Sequence, residues 1–119
     1  TRNDAEPGNR GEEMRSIITK YGAVCLICGS VASETHHLIG GSNRKLSDND
    51  GLTIPLCHSC HNEPGDSVHF NGKMKVLSHA LAQMAWEKKY IIDRYELPFE
   101  DVSEEAREAF RERYGVSYL

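Results

Sequence analysis

The chain reads as a small α+β domain, in which a two-stranded hairpin is stapled by a metal site and flanked by helices. Two Cys-x-x-Cys pairs, Cys25/Cys28 and Cys57/Cys60, bracket two short β-type stretches, and a long apolar repeat of helical spacing follows. With 119 residues and 39% apolar side chains, there is material for one domain with a modest core. A domain of that size gains from a staple, and the thiols supply one.

Residues 1–10 lack periodicity and are expected to form a disordered lead-in to a single domain over 11–119. Glu12 to Tyr21 is predicted as a short helix, because Met14, Ile17, Ile18 and Tyr21 share one face and Gly22 fits its end. The first knuckle, VCLICG, closes on Gly29, which suits a tight turn. Thr35 to Ile39 reads as a strand, the stretch GGSNRKLSDNDG as a polar loop, and Leu52 to Ile54 as the second strand. Pro64-Gly65 ends any helix that starts near Cys57. From Lys73 the spacing of Met74, Leu77, Leu81, Met84, Ile91 and Tyr95 predicts a long helix with that stripe in the core. A last amphipathic helix runs from about Ser103, as N-cap, to Arg113, with Glu104 and Glu105 in its first turn. The core of the domain is thus expected over 25–62 and a helical C-terminal part over 73–119.

Cys25, Cys28, Cys57 and Cys60 form a complete tetrahedral ligand set, since each Cys-x-x-Cys turn offers two thiolates on one side. A closed set of four leaves no open position, so the expected ion is a structural zinc. Nothing resembling a signal peptide opens the chain, and no stretch reaches the ~20 apolar residues of a membrane span. Paired thiols in a chain of this kind favour zinc over disulfides and a cytoplasmic setting.

The net charge is −4. Residues 96–119 carry seven acids against three arginines and so account for all of it, leaving eleven acids and eleven bases in 1–95. Arg44, Lys45, Lys73 and Lys75 are therefore available for local phosphate contacts, while strong non-specific DNA affinity, which needs many such contacts, is not expected.

A zinc ribbon explains the cysteines and leaves six histidines unexplained. On a strand, His36 and His37 point to opposite faces. His61 follows Cys60 directly, so closing the thiolate site draws it toward them. A second metal at His36 and His61 is geometrically reasonable and leaves His37 free as a general base, histidine being the side chain that titrates nearest neutrality.

The pattern CLIC…HHLIGG…DNDGLTIPLCHSCHN resembles the HNH nuclease motif of the ββα-metal superfamily in its zinc-stapled form. It is especially similar to small HNH proteins of phages and prophages. The match covers 25–62, with weaker similarity at RERYGVSYL. The resemblance implies a small ββα-metal core and a metal-dependent DNA endonuclease that leaves 5′-phosphate and 3′-hydroxyl ends. In that family the position of His37 deprotonates water. The position before it, here His36, holds a metal ligand, as in the colicin DNases, and the closing histidine, here His61, is another. The middle asparagine is replaced: the junction reads Asn49-Asp50-Gly51-Leu52, where Asp50 is the preferred occupant and Asn49 the competing one, with Asn62 and Asn43 as weaker candidates. Two imidazoles suit Zn²⁺, Mn²⁺ or Ni²⁺ as the catalytic divalent metal, whereas a carboxylate from Asp50 would move the preference toward Mg²⁺ or Mn²⁺.

His58 is expected to be exposed and His79 to be an ordinary helix residue. His69 reads as a packed or solvated side chain, with a place in the site as the lesser alternative. DNA is the expected partner, with a protein partner in a phage or DNA-processing complex compensating for the weak basic character, and no membrane. The competing functional class is a non-catalytic zinc-ribbon module that binds DNA or protein, or an inactive HNH relative.

Overall fold

The computed structural model describes residues 16–65, 67–69, 71–96 and 102–119. The expected lead-in over 1–10 lies outside them, as do residues 12–15 of the first predicted helix. Two strands, β1 (Glu34–His37) and β2 (Thr53–Leu56), pair antiparallel with His36 opposite Ile54 and His37 opposite Thr53. Between them lie a 3₁₀ turn (Gly41–Asn43) and a short helix α1 (Arg44–Asn49). Helix α2 (His58–Asn62) follows β2 directly, and α3 (Gly72–Arg94) and α4 (Ser103–Tyr114) complete the chain. The order through the centre of the molecule is thus strand, strand, helix, with two longer helices after it.

Ser16–Tyr21 is not helical. Its polar groups are taken by the hairpin instead: the Ile17 N–H donates to the Gly51 carbonyl at 2.8 Å and the Ser16 hydroxyl to that of Thr53 at 2.6 Å. The segment expected as a polar loop contains α1. That helix has only six residues, and one half-buried apolar side chain, Leu46, so its sequence carries no readable periodicity. Gly51 turns the chain out of it at φ +78°.

Strand β2 is buried along its whole length, whereas β1 buries His36 and exposes Thr35. Leu38, Ile39, Leu52, Leu56, Val68, Ala82 and Phe110 form the centre of the core. Helix α4 reaches it through Ala106, Phe110 and Tyr114, one turn apart, with Phe110 and Tyr114 stacked at 4.5 Å. Its first residue is Ser103, and Val102 rather than Ser103 takes the cap position.

Helix α3 begins as expected, with the Asn71 side chain accepting from the N–H groups of Lys73 and Met74. Its predicted core stripe holds only in part: Met74 and Leu81 pack against the core. Leu77 and Met84 are each 59% exposed, and the buried positions are Ser78, Ala82, Gln83 and Glu87. The polar members are tolerated because they are satisfied. Gln83 donates to Glu87 at 2.7 Å and accepts from the Tyr118 N–H at 2.6 Å, while Arg107 donates to Glu87 at 2.8 Å. A polar seam thus joins α3 to α4, while Ala82 of the same helix lies in the apolar core and Met74, Leu81 and Trp86 pack against it.

Candidate metal centres and candidate catalytic site

The first knuckle is shaped by local hydrogen bonds. Cys25 N–H donates to the Ser30 carbonyl at 2.7 Å, Gly29 N–H to Cys25 at 2.9 Å, and Gly29 takes φ +80°. Leu26 N–H donates to the Pro55 carbonyl at 3.0 Å, which ties this knuckle to β2 and so to the second one. As a result the sulfurs of Cys25, Cys28, Cys57 and Cys60 all lie within 4.8 Å of one another. Cys28 Sγ and Cys57 Sγ are 3.7 Å apart, far beyond a disulfide. A tetrahedron with bonds of ~2.3 Å has edges of about 3.8 Å, so this spacing suits four thiolates on one ion. Burial pushes the Cys25 thiol up, but N–H groups of Cys28, Cys57 and Ile27 outweigh it and hold the group down at about 6. Cys60 is pushed up to about 12 by burial and by its three cysteine neighbours. The four sulfurs are thus a potential metal site in which only a cation relieves the mutual repulsion of thiolates.

The second cluster joins three elements. His36 comes from β1 and His61 from α2. The His69 N–H donates to the His61 carbonyl and that of Val68 to the Cys60 carbonyl, and these two bonds fold the loop after α2 back onto the helix. The nitrogens of His36, His61 and His69 lie within 4.8 Å of one another, with ring centroids 4.5 to 5.1 Å apart. His61 Nε2 and His69 Nε2 are 2.8 Å apart. His36 Nε2 bonds the Ser78 hydroxyl at 3.0 Å, and its Nδ1 is buried with no partner among the described residues. Three imidazoles this close, one of them with an unpartnered ring nitrogen, are the donor set a divalent ion takes. Burial, reinforced by His61 and His69, holds His36 down at about 3, so its ring stays neutral and keeps a lone pair.

Behind this cluster stands Glu34, a residue the sequence did not single out. Its carboxylate accepts from His61 Nδ1 at 2.7 Å and from Asn62 at 2.8 Å, and its other oxygen lies 2.7 Å from His58 Nδ1. These bonds hold Glu34 down at about 2, the His58 contact contributing most. A proton held on His61 Nδ1 by Glu34 leaves Nε2 as the lone-pair nitrogen facing the cluster. Glu34 and His36 share one face of the strand in the sequence ETHH, which is the signal that would have found it.

His37 leaves the opposite face of β1. Its Nδ1 is 2.7 Å from Asp48 Oδ1, and its Nε2 is 2.9 Å from the Arg44 guanidinium. Both partners belong to α1. Neither junction residue supplies the contact: Asn49 sits exposed at the end of α1, and Asp50 faces the other way. Asp50 takes two 2.6 Å bonds from Arg113, one of 2.6 Å from the Tyr114 hydroxyl and one of 3.0 Å from Trp86 Nε1. Burial opposes ionisation of Asp50, and these donors together overcome it and lower its pKa. Asn43 donates to the Tyr114 carbonyl, and Asn62 serves Glu34. His58 is exposed as expected, and His79 stacks on Tyr118 with centroids 4.4 Å apart.

Residues 18–92 match DUF968, described as a protein of unknown function. The chain belongs to this family. The matched stretch holds both cysteine knuckles, the three clustered histidines, the His37–Asp48–Arg44 group and nearly all of α3, and it stops short of α4. No curated protein matches the chain, and no solved structure does. Among the described residues no helix is long and apolar enough to cross a membrane.

Proposed function

We propose that the protein is a metal-dependent DNA endonuclease of HNH type, with a structural zinc at Cys25, Cys28, Cys57 and Cys60 and a second divalent ion at His36, His61 and His69. The observation that carries this reading is the pairing of a three-histidine cluster with a carboxylate-supported fourth histidine on the next residue of the same strand. A structural role needs neither an orphaned His36 nitrogen nor a His37 held by Asp48. His36, His61 and His69 would hold the divalent ion, which would supply positive charge to offset the negative charge that develops during phosphodiester hydrolysis. Imidazole-only ligation suits Zn²⁺, Mn²⁺ or Ni²⁺ better than Mg²⁺, which prefers oxygen, and Asp50 does not lend its carboxylate.

The geometry supports the following roles for the side chains. Asp48 accepts from Nδ1–H of His37 and holds the ring in the tautomer whose Nε2 carries the lone pair. Nε2 takes a proton from the attacking water, whose oxygen bonds the phosphorus as the bond to the 3′ oxygen breaks. The products are a 5′-phosphate and a 3′-hydroxyl, the latter protonated from solvent. Lys75 is exposed and close enough to act electrostatically on the His69 ring, and it offers a DNA backbone positive charge beside the cluster.

Plasmid nicking tests the reading, in EDTA and then with Mg²⁺, Mn²⁺, Ni²⁺ or Zn²⁺ added. His37→Ala is expected to lower metal-dependent cutting by about 10²–10⁴-fold while zinc content and melting temperature stay unchanged. Parental cutting by the variant would remove His37 from the mechanism. A second reading, a binding module, is favoured by the exposed apolar tip of the first knuckle, where Leu26, Ile27 and Val31 face solvent. A folded, zinc-loaded protein that cuts with none of the metals would move the assignment there. Cytoplasmic residence and a place in a phage DNA-processing complex belong to the same proposal.

A further inference from the structure

Arg44 closes a ring of contacts around His37. Its guanidinium donates to His37 Nε2 at 2.9 Å, its Nε lies 3.8 Å from Asp48 Oδ2, and Asp48 Oδ1 bonds His37 Nδ1 at 2.7 Å. With Asp48 on Nδ1, the lone pair of the imidazole is on Nε2, and Arg44 occupies it. A general base in that state has nowhere to accept a proton. The arrangement is informative because a stronger acceptor for the guanidinium is at hand: the Asp48 carboxylate is one turn away, yet the short contact goes to the ring nitrogen.

We infer that Arg44 is the receptor for the substrate's phosphodiester and, until one arrives, a cap on the His37 nitrogen that does the work. The inference rests on the nuclease reading of His37. One observation and two physical arguments support it. Arg44 is 57% exposed on its side chain and open to an arriving anion, while His37 and Asp48 are only 22% and 18% exposed. A guanidinium bonds a phosphodiester in a charged, two-pronged contact that is stronger than one bond to a neutral imidazole, so an arriving phosphate outcompetes the ring. Asp48 keeps its bond to Nδ1 during that exchange, so the tautomer is preserved and the lone pair released is the one a base needs. Substrate binding and unmasking of the base are then one event, and the ring of contacts keeps His37 idle when no phosphate is present.

The test reads His37 directly, without cleavage. Zinc-loaded full-length protein is treated with diethyl pyrocarbonate, and acylation of His37 is followed by peptide mass spectrometry, with fragmentation to separate it from buried His36. Dimethyl phosphate is the phosphodiester probe. Arg44→Ala, an exposed position that leaves the fold intact, is expected to acylate about tenfold faster than the parent, the factor expected for losing one charged hydrogen bond. Saturating dimethyl phosphate is expected to bring the parent toward the variant's rate and to leave the variant unmoved. Equal rates in parent and variant would overturn the cap. An acceleration by dimethyl phosphate that persists in the variant, or a parent slowed by it, would overturn the assignment of Arg44 as receptor. Because neither readout needs catalysis, a capped His37 in a protein that nicks no plasmid would defeat the nuclease reading alone.

Discussion

The cysteine cluster and the histidine cluster meet at adjacent residues, Cys60 and His61, yet they are built on opposite plans. The four sulfurs come from two short turns, form a closed set and leave no open position. The three imidazoles come from a strand, a short helix and a loop, and a four-coordinate ion held by them keeps one position open. Glu34 stands between the two, bonded to His58 inside the second knuckle and to His61 in the other cluster. A closed thiolate site is suited to holding a fold, and an open imidazole site backed by a carboxylate is suited to chemistry. The difference teaches that a closed donor set and an open one can be built side by side, linked by one residue step.

The sharpest way to break that division is Cys57→Ser. It opens the closed site and is expected to forfeit most of the ~10–16 kcal/mol that zinc contributes to small modules, leaving a chain without a cooperative melt. Thermal unfolding followed alongside zinc content checks this. A variant with the parental midpoint would show that the cysteines do not hold the fold.

A smaller loss is expected at Asp50, which sequence reasoning placed in the chemistry and the fold places at the joint between α1 and α4. Asp50→Ala strands Arg113, the Tyr114 hydroxyl and Trp86 Nε1 and should cost about 3 kcal/mol at neutral pH, measured by denaturant unfolding. The acid limb carries the same information. Asp50 is held below its ordinary value of 3.8, so its contribution is complete above that value and is lost as pH falls through the depressed one. The parent should therefore lose stability more steeply than Asp50→Ala in that acid range. Parallel acid limbs in the two proteins would mean that the carboxylate adds nothing to the joint.

Glu34→Gln is the mildest change and sharpens the comparison most. It keeps the size and one acceptor oxygen but weakens the hold on His61 Nδ1, so divalent affinity at the histidine cluster should fall about 10–100-fold. Titration calorimetry with Mn²⁺ on zinc-loaded protein reads it, and zinc content should not change. A fall in zinc content would show that the two clusters are one cooperative unit.

Much of the scaffold could be read before the fold was known. Both strands lie within two residues of their predicted ends, and α3 and α4 begin where spacing and capping residues placed them, to within a residue. Helix α1 is not legible in the sequence because six residues with one apolar side chain, Leu46, carry no period. The stripe on α3 holds at Met74 and Leu81 but not at Leu77 and Met84, because hydrophobic spacing ranks faces by apolarity, and the face that packs on α4 is polar and satisfied by Gln83, Glu87 and Arg107. His69 was undervalued because nothing in SVHF marks it; the two backbone bonds that fold its loop onto α2 bring it to His61.

By itself the sequence determined the thiolate set, the His36-His37 pair and the existence of the long helices. Each of these is a matter of residue type and short spacing, in which a Cys-x-x-Cys turn or a three-and-four repeat carries its own geometry. Only the tertiary structure decided which carboxylate serves His37. Asp48 and Asp50 are two residues apart at the end of one short helix, and two helical steps turn a side chain by about 200°. One therefore faces the strand and the other faces α4, and no reading of the local letters says which, because the answer depends on what lies on either side of the helix.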